Sequence, residues 1–148
     1  MRFKNSGVRS WKECSQWLSR QGAEMMDMRK MQVPQGNDWW HDAALALKQV
    51  STLRCLEVCR CSGTAASILT THCTQLEALS AASITPEYEL DLESVSKLHQ
   101  LQRLRLRGAN TPLKLINLPA LQKLQFLTSL SITNTSPLPG EDVAQVCL

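Results

Sequence analysis

Cys55, Cys59 and Cys61 lie within seven residues of one another in the segment LRCLEVCRC (residues 53–61), and His72 and Cys73 follow. Thiolates and imidazoles are preferred zinc ligands, four at a time around a tetrahedron. The same thiols can do redox chemistry when exposed, or pack as small polarisable groups when buried. Spacing decides between these uses. The C-x-x-C pairs of common zinc sites are missing. On a strand, Cys55 and Cys59 point outward while Cys61 falls on an inward position, so the three do not gather around one metal ion. Packing is the expected role of Cys61 and Cys73, and Cys55 and Cys59 are expected as surface thiols. No metal site and no cofactor is expected.

Other chemistries find no better footing. His41, His72 and His99 fall on three separate segments, no GxSxG nucleophile elbow occurs, and neither RGAN nor GTAAS has the glycines and lysine of a phosphate loop. Glu87, Glu89, Asp91 and Glu93 alternate along EYELDLE, a pattern typical of a solvated edge. No catalytic residue is assigned, and the protein is read as a non-enzyme.

The 148 residues make one ordinary domain, and 43% hydrophobic content supplies a core built from Leu, Ala, Val and Ile, since only 5% is aromatic. A net charge of +3 with 13 acidic residues interspersed argues against nucleic acid as the partner. The first residues carry no apolar stretch of signal-peptide length, and nothing approaches a membrane span, so a cytoplasmic or nuclear location with reduced thiols is expected.

The elements that must hold these residues announce themselves as a repeat. Leu53, Leu56, Val58 and Cys61 follow the frame apolar-x-x-apolar-x-apolar-x-x-apolar. The frame recurs at Leu76/Leu79/Ala81/Ile84, Leu101/Leu104/Leu106/Ala109 and Leu127/Leu130/Ile132/Thr135, with a degenerate first copy at Ala23/Met26/Met28/Met31. The starts at 23, 53, 76, 101 and 127 are 30, 23, 25 and 26 residues apart. This period and frame resemble leucine-rich repeat proteins, over residues 20–135. With Cys73-x-x-Leu76 and Cys61 at the cysteine positions, the chain is similar to the cysteine-containing subclass found in F-box proteins, and WLSRQGAEMMDMRKM resembles the opening repeats of plant and algal F-box-like chains. Two departures stand out: an F-box helical module is missing, and the first copy is degenerate.

The resemblance implies an α/β leucine-rich-repeat solenoid, a curved right-handed coil with a parallel sheet on its concave face and short helices or irregular arms on its convex face. Residues 1–22 are expected as an N-terminal capping helix or the end of a preceding repeat, and 23–148 as about five repeats with the C-terminal cap missing or incomplete. Return arms are expected at Trp39–Ser51, at Thr64–Thr74 with Thr64 as N-cap, at Leu90–Leu101, and at Leu115–Leu127 with Pro119 in a first helical turn. Trp11, Cys14, Gln16, Trp17 and Leu18 are assigned to the apolar face of an N-terminal helix, and GEDVAQVCL to the start of a last return helix.

Function is then sought on outward strand positions. These are Met25, Asp27 and Arg29; Cys55, Glu57 and Cys59; Ala78, Ser80 and Ala82; Arg103, Arg105 and Arg107; and Ser129, Ser131 and Thr133. Three arginines share one strand face, flanked by small neutral side chains. The nearest opposite charge, Glu57, is two strands or about 10 Å away, beyond the Debye length of about 8 Å. The expected partner-binding residues are Arg103, Arg105, Arg107, Glu57, Cys55, Cys59, Ser80, Ser129, Ser131 and Thr133. The expected function is protein–protein interaction with an acidic or phosphorylated protein or peptide and, by the resemblance, substrate recognition in a ubiquitin-ligase adaptor. The alternative is a structural scaffold, or a fragment of a longer array, that self-associates through uncapped ends. No membrane partner is expected.

Overall fold

The computed structural model describes residues 2–4, 10–32, 38–85 and 89–135. The expected last return helix at residues 140–148, and Glu87, lie outside the described residues. The chain is α/β, with a parallel sheet on one side and helices on the other. The five proposed strand positions are strands: β2 (Met25–Lys30), β3 (Cys55–Cys59), β4 (Ala78–Ile84), β6 (Arg103–Gly108) and β8 (Ser129–Thr133). They lie side by side in that order, all parallel. A short strand the frame does not contain, β1 (Arg2–Lys4), pairs parallel with β2 at the edge.

One backbone device recurs at the entry to each paired strand. The carbonyl of Glu24 accepts from the N–H groups of Arg54 and Cys55 at 2.8 and 2.9 Å. Arg54 does the same for Glu77 and Ala78, Glu77 for Gln102 and Arg103, and Gln102 for Thr128 and Ser129, all between 2.7 and 3.1 Å. Each accepting carbonyl belongs to the residue just after the first frame position of its copy, so the frame read from side chains is also a frame of hydrogen bonds. Arg60, Ser83 and Asn134, each seven residues past a copy's start, have φ of 57°, 53° and 52° and turn the chain off the sheet. In the copy starting at 101 that place is taken by Gly108, where an added Cβ would lie 2.2 Å from the Asn134 carbonyl oxygen, and in the degenerate first copy by Lys30, neither with a left-handed φ.

The helices form the second layer: α1 (Trp11–Arg20), α2 (Asp38–Lys48), α3 (Gly63–His72) and the single turn α4 (Leu92–Val95), followed by a 3₁₀ helix at Leu118–Lys123 with Pro119 in its first turn. Helix packing runs α1 on α2, α2 on α3, α3 on α4 and α4 on the 3₁₀ helix. A two-stranded ladder, β5 (Leu90–Asp91) with β7 (Leu115–Ile116), extends this layer. Between the layers lies one hydrophobic cluster that includes Leu56, Val58, Leu104 and Leu106 from strands and Leu18, Leu47 and Leu69 from helices. The three methionines of the degenerate copy, Met26, Met28 and Met31, are fully buried, so an unbranched side chain fills the frame where Leu is absent.

Three local expectations need correction. The N-cap of α3 is Ser62 and not Thr64; the Ser62 hydroxyl accepts from Ala65 N–H at 3.0 Å, satisfying a helix-end donor. Gln16 and Trp17 are exposed and do not share the buried face of α1, which is carried by Ser15 and Leu18 with Trp11 and Cys14 partly covered. Trp11 instead stacks edge-on against Trp39 at 5.2 Å, and Trp39 against Trp40 at 4.9 Å, which docks α1 on α2. Finally, the arm after Leu115 is a 3₁₀ helix, entered through Asn117 at a left-handed φ of 57°. Among the described residues, no helix is long and apolar enough to cross a membrane.

Candidate functional site

Strand alternation and pairing register together build the open face of the sheet. Along β6 the burial pattern alternates without a break: Arg103, Arg105 and Arg107 are exposed, whereas Leu104 and Leu106 are each 1% exposed. Register then lines the outward residues into rows. One row runs Met25, Cys55, Ala78, Arg103, Ser129; the next runs Asp27, Glu57, Ser80, Arg105, Ser131. Cys59 stands opposite Ala82, and Arg107 opposite Thr133.

These rows bound a shallow groove of about 220 Å³. Its rim and floor include Cys55, Glu57, Ser80, Arg103, Arg105, Ser129 and Ser131. Ala78 floors it, a position where a larger side chain would fill the space. Seven of the ten residues expected to bind a partner are thus brought together. Cys59, Arg107 and Thr133 lie on the same face but do not line the groove.

The electrostatics are asymmetric. On the β2–β3 side, Arg29 forks onto Asp27, with Nε to Oδ1 at 2.9 Å and Nη2 to Oδ2 at 2.8 Å, and its Nε also lies 2.9 Å from Glu57 Oε2. The Arg29 Nε–H points at Asp27, so Glu57 Oε2 has an ionic neighbour but no hydrogen-bond donor among the described residues. The hydrogen bonds Arg29 donates to Asp27, followed by the charge of Glu57, raise the Arg29 pKa above its ordinary value. Asp27, expected as an outward surface position, is 4% exposed beneath this cluster.

On the β6 side, none of Arg103, Arg105 and Arg107 has a carboxylate within ion-pair distance among the described residues. Arg103 and Arg105 project from alternate residues of one strand, about 6.6 Å apart along it. Two guanidinium groups at that separation can both reach one carboxylate or phosphate, each offering a planar fork of donors. Ser80 and Ser131 flank Arg105, and Ser129 flanks Arg103, adding hydroxyl donors that cost little room.

The thiols follow the register. Burial foremost, with Glu57 adding to it, raises the Cys55 pKa. Burial pushes Cys61 and Cys73 up to about 12. Cys73 Sγ sits 3.8 Å from the Ala44 carbonyl oxygen inside the helix layer. Among the described residues, no three His, Cys, Asp or Glu side chains are grouped to hold a metal. The alternating carboxylates serve the fold: Asp91 caps α4 through Glu93 N–H at 2.9 Å and accepts from Asn117 at 2.8 Å, while Glu89 pairs with Lys114 and Glu93 with Lys123.

Sequence reasoning placed His41 and His72 on separate arms, yet the structure brings their rings together, with centroids 5.2 Å apart. Each helix's periodicity was readable, but the axial offset of α3 against α2 was not, and that offset makes the pair. The chain matches no known protein-family model, and no curated protein matches it.

Proposed function

We propose that the protein is a non-catalytic interaction module of leucine-rich-repeat type, a solenoid whose open sheet face docks an acidic or phosphorylated protein segment. The observation that carries this reading is the groove bearing Arg103 and Arg105 with no carboxylate partner among the described residues, floored by Ala78 and lined by Ser80, Ser129 and Ser131. Uncompensated like charges on a well-packed strand cost stability, and a bound anion offsets that cost. The resemblance of the cysteine-bearing frame to F-box relatives extends the proposal to substrate recognition for a ubiquitin ligase, in the cytoplasm or nucleus.

The test is capture of proteins by immobilised wild type and by Arg105→Glu, with phosphatase-treated input as a parallel arm. The proposal expects retained proteins to be acidic and to be lost with Arg105→Glu. Loss after phosphatase as well identifies phosphate as the anion. Retention equal on both baits sinks the proposal, and retention of nucleic acid in place of protein replaces it with a different partner class.

A second reading, a scaffold that stacks on copies of itself, is favoured by β8. Its Leu130 and Ile132 are only partly buried, whereas their counterparts Leu104 and Leu106 are fully covered. A concentration-dependent oligomer in size-exclusion chromatography supports this reading, and a monomer at all concentrations removes it.

A further inference from the structure

Outside the groove, one cluster joins two groups that the docking function does not use. His41 on α2 and His72 at the end of α3 come from adjacent helices, and their ring centroids are 5.2 Å apart with planes tilted by 55°. The distance has a chemical meaning. With metal–nitrogen bonds of about 2.0–2.1 Å and a near-tetrahedral angle, two ligating imidazoles have ring centres ~5.2 Å apart. Edge-on packing gives the same separation, as between Trp11 and Trp39, so the response to metal, and not the distance alone, separates a ligand pair from a packed one.

Three features make these rings available. His41 is exposed and His72 partly exposed, so an ion can reach both. Neither ring has a hydrogen bond or carboxylate partner within the described residues, so both have free nitrogen lone pairs when neutral. Burial first, then the neighbouring His41 and Lys48, lowers the His72 pKa. The backbone beneath is fixed, since Cys73 next to His72 is fully buried and its Sγ rests on the Ala44 carbonyl one turn from His41.

We infer that His41 and His72 form a two-histidine site for a borderline divalent transition metal, of the Zn²⁺, Ni²⁺ or Cu²⁺ class, bridging α2 and α3. Imidazole suits these ions, and oxygen-seeking Mg²⁺ and Ca²⁺ are not held by it. No third His, Cys, Asp or Glu side chain joins the pair among the described residues, so water completes the coordination sphere. The positive charge of Lys48 opposes the ion and weakens the site. Bound metal ties two helices that otherwise meet through packing, and it stabilises the folded chain by linkage.

The test is thermal unfolding of the reduced protein with Zn²⁺, Ni²⁺ or Mg²⁺ added, for wild type, His41→Gln and His72→Gln. At a Zn²⁺ or Ni²⁺ concentration about tenfold above Kd, the midpoint is expected to rise by about 3–6 °C in wild type. It is expected to stay unmoved with Mg²⁺, and unmoved with any ion in either variant. Lys48→Gln is expected to strengthen the response. A wild-type midpoint insensitive to both Zn²⁺ and Ni²⁺ overturns the inference. So does a shift that survives in both histidine variants, which assigns the metal to the thiols.

Discussion

Leu104 and Arg105 are neighbours in sequence with opposite fates, and replacing each by Ala separates them sharply. Leu104 is 1% exposed in the central cluster. Leu104→Ala removes its transfer free energy and leaves a cavity, a loss of about 2–5 kcal/mol. A domain of ordinary stability has about 5–15 kcal/mol in all. With a urea slope of about 1–3 kcal/mol/M, the unfolding midpoint falls by roughly 1–3 M. Arg105 is exposed, makes no hydrogen bond or ion pair among the described residues, and lies about 6.6 Å from Arg103 along the strand. Repulsion between two such charges in water is ~0.6 kcal/mol before screening. Arg105→Ala is therefore expected to change stability by less than about 0.5 kcal/mol, and to stabilise slightly at low salt, where screening is weakest. Urea unfolding followed by circular dichroism, at low and high salt, reads both effects. Equal destabilisation by the two substitutions, or a midpoint loss with Arg105→Ala that exceeds that of Leu104→Ala, refutes the alternating register.

Two further outcomes follow from local geometry and titration. Gly108→Ala is expected to lower the thermal midpoint through a loss of about 1–3 kcal/mol, because its Cβ would meet the Asn134 carbonyl oxygen at 2.2 Å and backbone must move; an unchanged midpoint contradicts this packing. Cys61 and Cys73 have folded pKa values raised to about 12 from the ordinary 9.0, so the unfolded chain releases their protons first and the folded state loses stability as pH rises from about 9 towards 12. Their contribution is fully present below pH 9, and Cys61→Ala is expected to blunt the alkaline loss in denaturant titrations across that range.

The interior was legible because the frame states it twice, in side-chain type and in spacing. All four frame residues of the second and third copies are buried, down to Cys61 and Ile84. The Arg row was legible for the same reason, since period-two alternation leaves β6 no other arrangement once Leu104 and Leu106 point inward. What escaped is set by relations between elements. Ser62 and Thr64 are both good caps, and only the path of the chain after the left-handed Arg60 selects Ser62. Strand β1 is too short to carry a pattern, and its pairing with β2 is a tertiary event. The tie between Arg29, Asp27 and Glu57 depends on which rotamers meet across two strands, and the His41–His72 pair depends on how far one helix slides along another. The groove includes Arg103 and Arg105 but not Arg107, because the register slips between Ala81 and Ile84, beyond which the β4 floor no longer lies opposite.

Thiol labelling of the native, reduced protein tests the sidedness of the sheet most directly, because the cysteines carry the same alternation as the arginines. Trypsin cuts after Arg54 and Arg60, so Cys55 and Cys59 leave on one peptide and Cys61 and Cys73 on the next. Brief maleimide exposure followed by digestion and mass spectrometry is expected to modify the Cys55–Cys59 peptide, whose thiols are half-buried at the open face, and to leave the Cys61–Cys73 peptide unmodified until denaturant is added. Labelling of Cys61 in the native state as fast as Cys55, or protection of Cys55 and Cys59 as complete as that of Cys61, contradicts the sheet face on which the groove of Arg103 and Arg105 is built.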